Sequence, residues 1–154
     1  MRAKLMIPIF VLGLAVAVSA CAPSATSTGG GFEDGVIAAM NQDRAAAGLG
    51  PLAWDGQLAP LAQNWSDQIA ASGNLVHSNL GGLISAPYMA AWHGLAENLL
   101  VASGDLTPAG AESMWMNSPE HRANILNPSM DYVGIGTARD ASGRLWVVAE
   151  FGAR

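Results

Sequence analysis

Three histidines and one glutamate are the residues of this sequence best suited to chemistry. His77, His93 and His121 each lie in or beside a segment rich in turn residues, and none interrupts an apolar helix face. Neutral imidazole and carboxylate groups are common ligands of zinc. Two of these histidines together with Glu97 would therefore form a set that can hold a divalent metal ion such as Zn²⁺. For a single histidine, a structural or surface role is the competing interpretation.

The stretch "NSPEHRANILNP" offers a second arrangement, because it places Glu120 beside His121. Ser118 followed by Pro119 is typical of a helix start, with a capping residue and then a first-turn proline. A carboxylate in the first turn is stabilised by the helix dipole. Glu120 therefore has a structural explanation, and it would join a site only if its side chain turned toward the same cleft as His121.

Helical spacing of apolar residues predicts the elements that position these groups. One helix begins at Phe32 and ends before Gly48, and a second begins near Leu58 and ends at Gly73. A third is predicted over 107–117, where a threonine and a proline form a helix start. The short helix that begins after Ser118 is the next predicted element of the chain.

The other segments are extended or irregular. Residues 77–102 contain Gly and Pro breaks and are predicted to be mostly loop, with a short extended piece from Glu97 to Val101. The runs "DYVGIGTARD" and "RLWVVAEF" flank the turn sequence "DASG" and predict an antiparallel hairpin. Helices followed by a hairpin indicate an α+β domain with helices packed on a small sheet.

Composition excludes several functions. The chain of 154 residues is 51% hydrophobic, enough for the core of one domain. Of its 7 basic residues, Arg2 and Lys4 lie in the N-terminal segment, which leaves five basic against 12 acidic side chains, or about −7. Nucleic-acid binding through a basic face is therefore not expected. Because Lys4 is the sole lysine, lysine-based catalysis is not expected in the domain either.

The N-terminal segment "MRAKLMIPIFVLGLAVAVSAC" has the charged start, short apolar run and small-residue exit of a secretory signal. Its last four residues resemble the lipobox of bacterial lipoproteins, which implies cleavage before Cys21 and lipidation of that thiol. The alternative is an ordinary signal with a chance cysteine. We predict a signal over 1–20, a flexible tether with lipidated Cys21 over 21–31 and a single domain over 32–154. The domain would then be anchored to a membrane on its extracytoplasmic side.

Several separate motifs resemble one known family. They are "HS" at 77–78, "AENL" at 96–99, Trp115, "SPEHRANILNPSMDYVGIGTA" at 118–138 and "WVVAEFG" at 146–152. Together they are similar to the bacterial branch of the CAP superfamily, or SCP domain, over nearly the whole predicted domain. The resemblance implies an α-β-α sandwich with a central antiparallel sheet.

The resemblance also implies a cleft lined by two histidines and two acidic residues, which binds a divalent metal in several relatives. His77, Glu97 and His121 match three of these positions as metal ligands. The fourth, acidic in eukaryotic relatives, is Ser118 here. Ser118, Glu120 and Asn98 are secondary candidates for the cleft.

Three functions follow as alternatives. The first is a binding module whose cleft holds a divalent metal and engages a lipid, peptide or cell-wall-derived ligand. The second is a metal-dependent hydrolase or peptidase that uses the same cleft, for which an evident general base is missing. The third is a surface interaction lipoprotein in which the polar cluster only stabilises the fold.

Overall fold

A computed structural model describes residues 31–154; the predicted signal and Cys21 lie outside the described residues. The elements in chain order are α1 (Phe32–Ala46), β1 (Ala53–Trp54), α2 (Leu58–Ser72), α3 (Leu80–Ile84), a 3-10 turn (Pro87–Met89), β2 (Gly94–Ala102), α4 (Pro108–Met116), α5 (Pro119–Ile125), β3 (Tyr132–Arg139) and β4 (Leu145–Ala153).

The four strands form one sheet in the order β1-β3-β4-β2. The three long strands β3, β4 and β2 pair antiparallel, which confirms the predicted antiparallel sheet and its closing hairpin. β1 adds two residues that pair parallel with β3, so the complete sheet is mixed. A strand of two residues is too short to have a recognisable alternation in the sequence.

Helices cover both faces of the sheet, as the resemblance implied. Because successive strand side chains point to opposite faces, β4 contributes to two cores. Trp146 and Val148 pack against α2, while Val147 and Phe151 pack in the cluster formed with α1, α4 and α5. The α-β-α sandwich is therefore confirmed. No helix within residues 31–154 combines the length and apolar character needed to cross a membrane.

Most predicted helix ends are confirmed. Gly73 ends α2 in the left-handed conformation with φ 69°, and Thr107 caps α4 by accepting a hydrogen bond from the Gly110 N–H at 3.1 Å. Ser118 differs from the expectation. It precedes α5 with extended backbone, but its hydroxyl makes no capping hydrogen bond. The carbonyl oxygen of Ser118 instead accepts the Arg122 N–H at 2.9 Å, which begins the helix.

The extended piece predicted from Glu97 to Val101 is confirmed, but the strand is longer than predicted and the segment 77–102 is less irregular. β2 extends over nine residues and pairs with β4 along its whole length, from Gly94 opposite Ala153 to Ala102 opposite Leu145. Tertiary pairing therefore determines this strand, since its own sequence has little alternation. The preceding part also contains α3, which Asn79 caps through the Gly82 N–H at 3.0 Å.

Candidate functional site

The side chain of Glu97 projects from β2 toward the segment between α2 and α3. Glu97 Oε1 lies 2.6 Å from His77 Nδ1 and accepts a hydrogen bond from the Ser78 N–H at 3.0 Å. The carboxylate side chain is fully buried, whereas 61% of the His77 side chain is exposed. Glu97 therefore fixes the orientation of an exposed imidazole, and Nε2 lies on the far side of that ring.

His121 is held against the same strand from the other side. The side-chain amide of Asn98 donates to the His121 carbonyl oxygen at 3.0 Å and accepts from Asn124 at 2.8 Å. The Asn124 amide also contacts the Glu97 carbonyl oxygen at 3.3 Å. The side chains of Glu97 and Asn98 point to opposite faces of β2. Glu97 therefore orients His77, whereas Asn98 holds α5, the helix that carries His121. Asn98 is thus a buried residue that positions α5 and, through it, His121.

The surroundings of His121 favour the neutral form of its imidazole. Burial lowers the pKa of His121, nearby His77 lowers it further, and the Glu120 carboxylate opposes both effects. A lowered pKa keeps the His121 imidazole neutral at neutral pH, the form that binds metals. We call the surface between His77 and His121 the histidine cleft.

The other sequence candidates lie around this cleft without joining it. Glu120 is exposed in the first turn of α5, and Ser118 is half-buried one residue before that helix. His93 is exposed at the start of β2, where its backbone N–H donates to the Ala153 carbonyl oxygen at 2.8 Å. Among the predicted ligands, the described residues show one direct side-chain contact, between His77 and Glu97. Asn98 connects the backbone of His121 to the same strand.

The contacts of Glu97 bear on whether a metal ion fits. Within residues 31–154, no three His, Cys, Asp or Glu side chains are grouped in the arrangement of a metal site. Glu97 Oε1 is already engaged by His77 and Ser78, and Oε2 is buried. The geometry fits a carboxylate that orients a metal-binding histidine. It fits Glu97 less well as a third ligand beside the two imidazoles.

Glu150 is a further acidic residue of this region, and the sequence interpretation gave it no role. It pairs with Glu97 across β2 and β4 and is 1% exposed. Burial, reinforced by the Glu97 carboxyl group, raises the pKa of Glu150 to about 9, although Ser78 acts in the opposite direction. The sequence feature that could have identified Glu150 is its position as an acid inside "LWVVAEFG", a run of otherwise apolar residues and glycine.

Comparison with known proteins gives one consistent family. Residues 37–151 match the sequence model of the cysteine-rich secretory protein family, CAP. Pathogenesis-related protein 1C of Nicotiana tabacum is 43% identical over 91 residues, which cover 58% of this chain and 46% of the tobacco protein. The uncharacterized protein YkwD of Bacillus subtilis (strain 168) is 32% identical over 129 residues, which cover 80% of this chain and 48% of that protein. The chain thus spans about half the length of these relatives.

A solved structure agrees with this assignment. The crystal structure of a cysteine-rich secretory protein from Staphylococcus aureus subsp. aureus Mu50 is similar with a TM-score of 0.65 and 26% sequence identity. The similarity covers 80% of this chain and 38% of the staphylococcal chain. The shared part is therefore the domain described above.

Proposed function

This chain belongs to the cysteine-rich secretory protein (CAP) family, in its bacterial branch, and from that premise we propose that it is an extracytoplasmic binding module. Its histidine cleft takes a divalent metal ion, and we propose Zn²⁺, for which imidazole is a common ligand. The bound metal would offer coordination positions to a lipid, peptide or cell-wall-derived ligand.

The contact between His77 and Glu97 carries this proposal. A histidine that binds a metal through one ring nitrogen usually directs the other to a carboxylate or carbonyl oxygen, which fixes its tautomer and raises its basicity. His77 Nδ1 has such a partner in Glu97 Oε1 at 2.6 Å. His77 Nε2 and the neutral ring of His121 would be the protein ligands, and solvent or the bound molecule would complete the coordination.

Zinc titration by calorimetry tests the metal site. We expect His77→Ala and His121→Ala each to weaken zinc binding by at least about tenfold, because each removes one of two protein ligands. Glu97→Gln keeps the shape of the side chain but weakens its hold on His77, and a loss of about 10- to 100-fold is expected for a group that orients a ligand.

His93→Ala is the matched control, since His93 is an exposed histidine outside the cleft. It should bind zinc within about twofold of the unsubstituted protein, as expected for a histidine that is not a ligand. If His93→Ala lost as much affinity as His77→Ala, or if the double His77→Ala, His121→Ala variant still bound zinc normally, the histidine cleft would not be the metal site.

We also propose that the domain is tethered to a membrane through lipid on Cys21. Support comes from the small-residue sequence before Cys21 and from its being the sole cysteine of the chain. Several acyl chains on one residue suffice for stable membrane attachment. The tract "APSATSTGGG" would then lie between the lipid and α1.

Detergent phase partition of cells that express the full chain tests this attachment. The unsubstituted protein should enter the detergent phase, and Cys21→Ser should move to the aqueous phase, because serine offers no thiol for lipidation. Ser24→Ala, three residues away in the tether, should behave like the unsubstituted protein. Equal partition of Cys21→Ser and the unsubstituted chain would rule out the anchor.

A further inference from the structure

The side chain of Arg154 lies in a corner formed by two aromatic rings and a carboxylate. Its guanidinium carbon is 4.6 Å from the centroid of the Trp92 ring and 4.3 Å from that of the Tyr132 ring. The two rings meet edge to face, with their centroids 5.7 Å apart and their planes at 88°. Arg154 Nη2 donates a hydrogen bond to Asp55 Oδ2 at 2.9 Å. We call Asp55, Trp92 and Tyr132 together the guanidinium corner.

Contacts that do not involve Arg154 hold each part of this corner. Asp55 Oδ1 accepts from two backbone N–H groups at the start of α2, at 2.8 and 3.0 Å. Trp92 Nε1 donates to the side-chain oxygen of Gln57 at 3.0 Å. Tyr132 is the first residue of β3 and pairs with both β1 and β4. The corner is therefore preformed, and a preformed site binds without the entropic cost of ordering its walls.

The chemistry of this corner suits a planar cation. The Asp55 side chain is 7% exposed, so its charge is largely withdrawn from water, and a buried charge is costly unless it is paired. Aromatic rings attract cations, and a guanidinium group can stack on a ring while it donates to a carboxylate. Because the Arg154 side chain is itself 36% exposed, a group from solvent can reach the place that Arg154 occupies.

A second arginine of the domain shows what is particular about the corner. Arg144 lies 5.2 Å from the centroid of a single ring, that of Trp146, and donates to Asp140 Oδ2 at 2.7 Å. Trp146 Nε1 donates to the same oxygen at 2.9 Å. Asp140 therefore keeps a side-chain donor when Arg144 is removed, whereas Asp55 Oδ2 loses the guanidinium group that pairs with it.

An exposed aromatic residue lies beside the corner. Gln57 accepts from the Trp92 indole through Oε1, and its Nε2 donates to the Tyr88 carbonyl oxygen at 2.6 Å. Tyr88 is 60% exposed, which is a large fraction for a ring of this size. A molecule seated in the corner would therefore have a further aromatic contact next to it.

We propose that the guanidinium corner binds the arginine side chain of a peptide, which takes the place of Arg154. Arg154 is an internal competitor, since a group on the same chain has a high effective concentration. The chain has 12 acidic against 7 basic side chains, a balance that favours a basic peptide. This site is separate from the histidine cleft and does not depend on the metal proposal.

Titration of the Arg154→Ala protein with N-acetyl-arginine amide tests the corner, with the NMR signal of the Trp92 indole N–H as the local readout. We expect this variant to bind the probe at least about tenfold more tightly than the unsubstituted protein does, because the internal competitor is absent. N-acetyl-citrulline amide has nearly the same shape but no charge, and it should bind at least about tenfold more weakly.

Further variants locate the site. In the Arg154→Ala background, Asp55→Asn should weaken probe binding at least about tenfold by removing the charge, while asparagine can still cap α2. Asp67→Asn, the same change at an exposed position of α2, should leave binding unchanged. Arg144→Ala alone should bind no better than the unsubstituted protein, because Asp140 keeps its other donor.

Near-UV circular dichroism establishes that each variant is folded, and Arg154→Gln, which retains part of the stem, replaces Arg154→Ala if the latter is not. The proposal is overturned if the folded Arg154 variant binds no probe, if the citrulline compound binds equally, or if a folded Asp55→Asn double variant binds in full. Loss of the native fold in both Arg154 variants would also overturn it, because the corner would then not be preformed.

Discussion

Replacement of Arg44 by methionine is expected to lower the free energy of unfolding by about 3–5 kcal/mol, a large part of the total for a domain of this size. Arg44 lies in the last turn of α1 and is 2% exposed. Its guanidinium group donates to the carbonyl oxygens of Ile125, Asn127 and Met130 at 2.8, 3.0 and 2.9 Å. Methionine has a similar apolar stem but would leave these acceptors without the donor.

The same side chain also fixes the turn between α1 and β1. Arg44 Nε donates to the Gly50 carbonyl oxygen at 2.7 Å. The planar guanidinium group of Arg44 therefore links the end of α1, the loop after it and the connection from α5 to β3. Because Ile125 is the last residue of α5, Arg44 also supports the helix that carries His121.

Urea unfolding of three variants measures this contribution. Arg44→Lys keeps the positive charge but lacks the planar fork that reaches several carbonyl groups, so it should lose about half as much stability as Arg44→Met. Arg122→Met alters an exposed arginine on α5 and should stay within about 0.5 kcal/mol. An Arg44→Met variant less than about 1 kcal/mol below the unsubstituted protein would contradict this role, because loss of a buried hydrogen-bonding group should exceed that value.

The role of Arg44 was within reach of the sequence. The apolar residues that predict α1 include Val36, Ile37 and Met40, and Arg44 continues the same stripe four residues later. A charged residue on the buried face of a helix requires partners in the interior. Which carbonyl groups serve depends on how α5 packs against α1, and local spacing contains no information about that.

The helices and the hairpin were predictable because their signals are local. The second helix has an apolar stripe and a terminal glycine, and "DASG" lies between two alternating runs. The length of β2 was not predictable in this way, because β4 on one side and α5 on the other determine it. The same holds for β1, whose pairing with β3 involves only two residues.

The candidate site, too, was only partly predictable from the sequence. The residue types allowed His77, Glu97 and His121 to be grouped, and the family resemblance assigned them a common cleft. The register of β2 and β4 then places Glu150 opposite Glu97, and no single segment of sequence contains that information. For the same reason the orienting role of Glu97, behind His77, emerged only from the hydrogen bonds.

Insertion of a single methyl group at Gly136 is expected to be comparable in its damage to the loss of Arg44. A Cβ atom at Gly136 would lie 2.2 Å from the backbone carbonyl carbon of Ala62 and the nitrogen of Gln63. Gly134, two residues earlier on the same face of β3, has the same relation to the backbone of Ala59, at 2.2 Å from its nitrogen. At these two glycines the backbone of α2 therefore packs directly against the backbone of β3, with no side chains between them.

The neighbouring atoms decide the size of the effect. Overpacking usually costs about 1–3 kcal/mol, because side chains can change rotamer to make room. At Gly136 the obstacle is helix backbone, so α2 as a whole would have to move away from the sheet and open the core that contains Ala62 and Trp146. We therefore expect Gly136→Ala to lose about 3 kcal/mol or more, at the upper end of this range or above it.

Thermal and urea unfolding of matched glycine variants test this packing. Gly50→Ala is the control, since a Cβ atom there would meet nothing within 4 Å; it should be neutral or slightly stabilising, as alanine restricts the unfolded chain. Gly134→Ala should resemble Gly136→Ala, because both press on the same helix. Since α2 leads into the segment that carries His77, a folded Gly136→Ala protein should also bind zinc more weakly. Equal stability of Gly136→Ala and Gly50→Ala would mean that α2 does not rest on the strand backbone in solution.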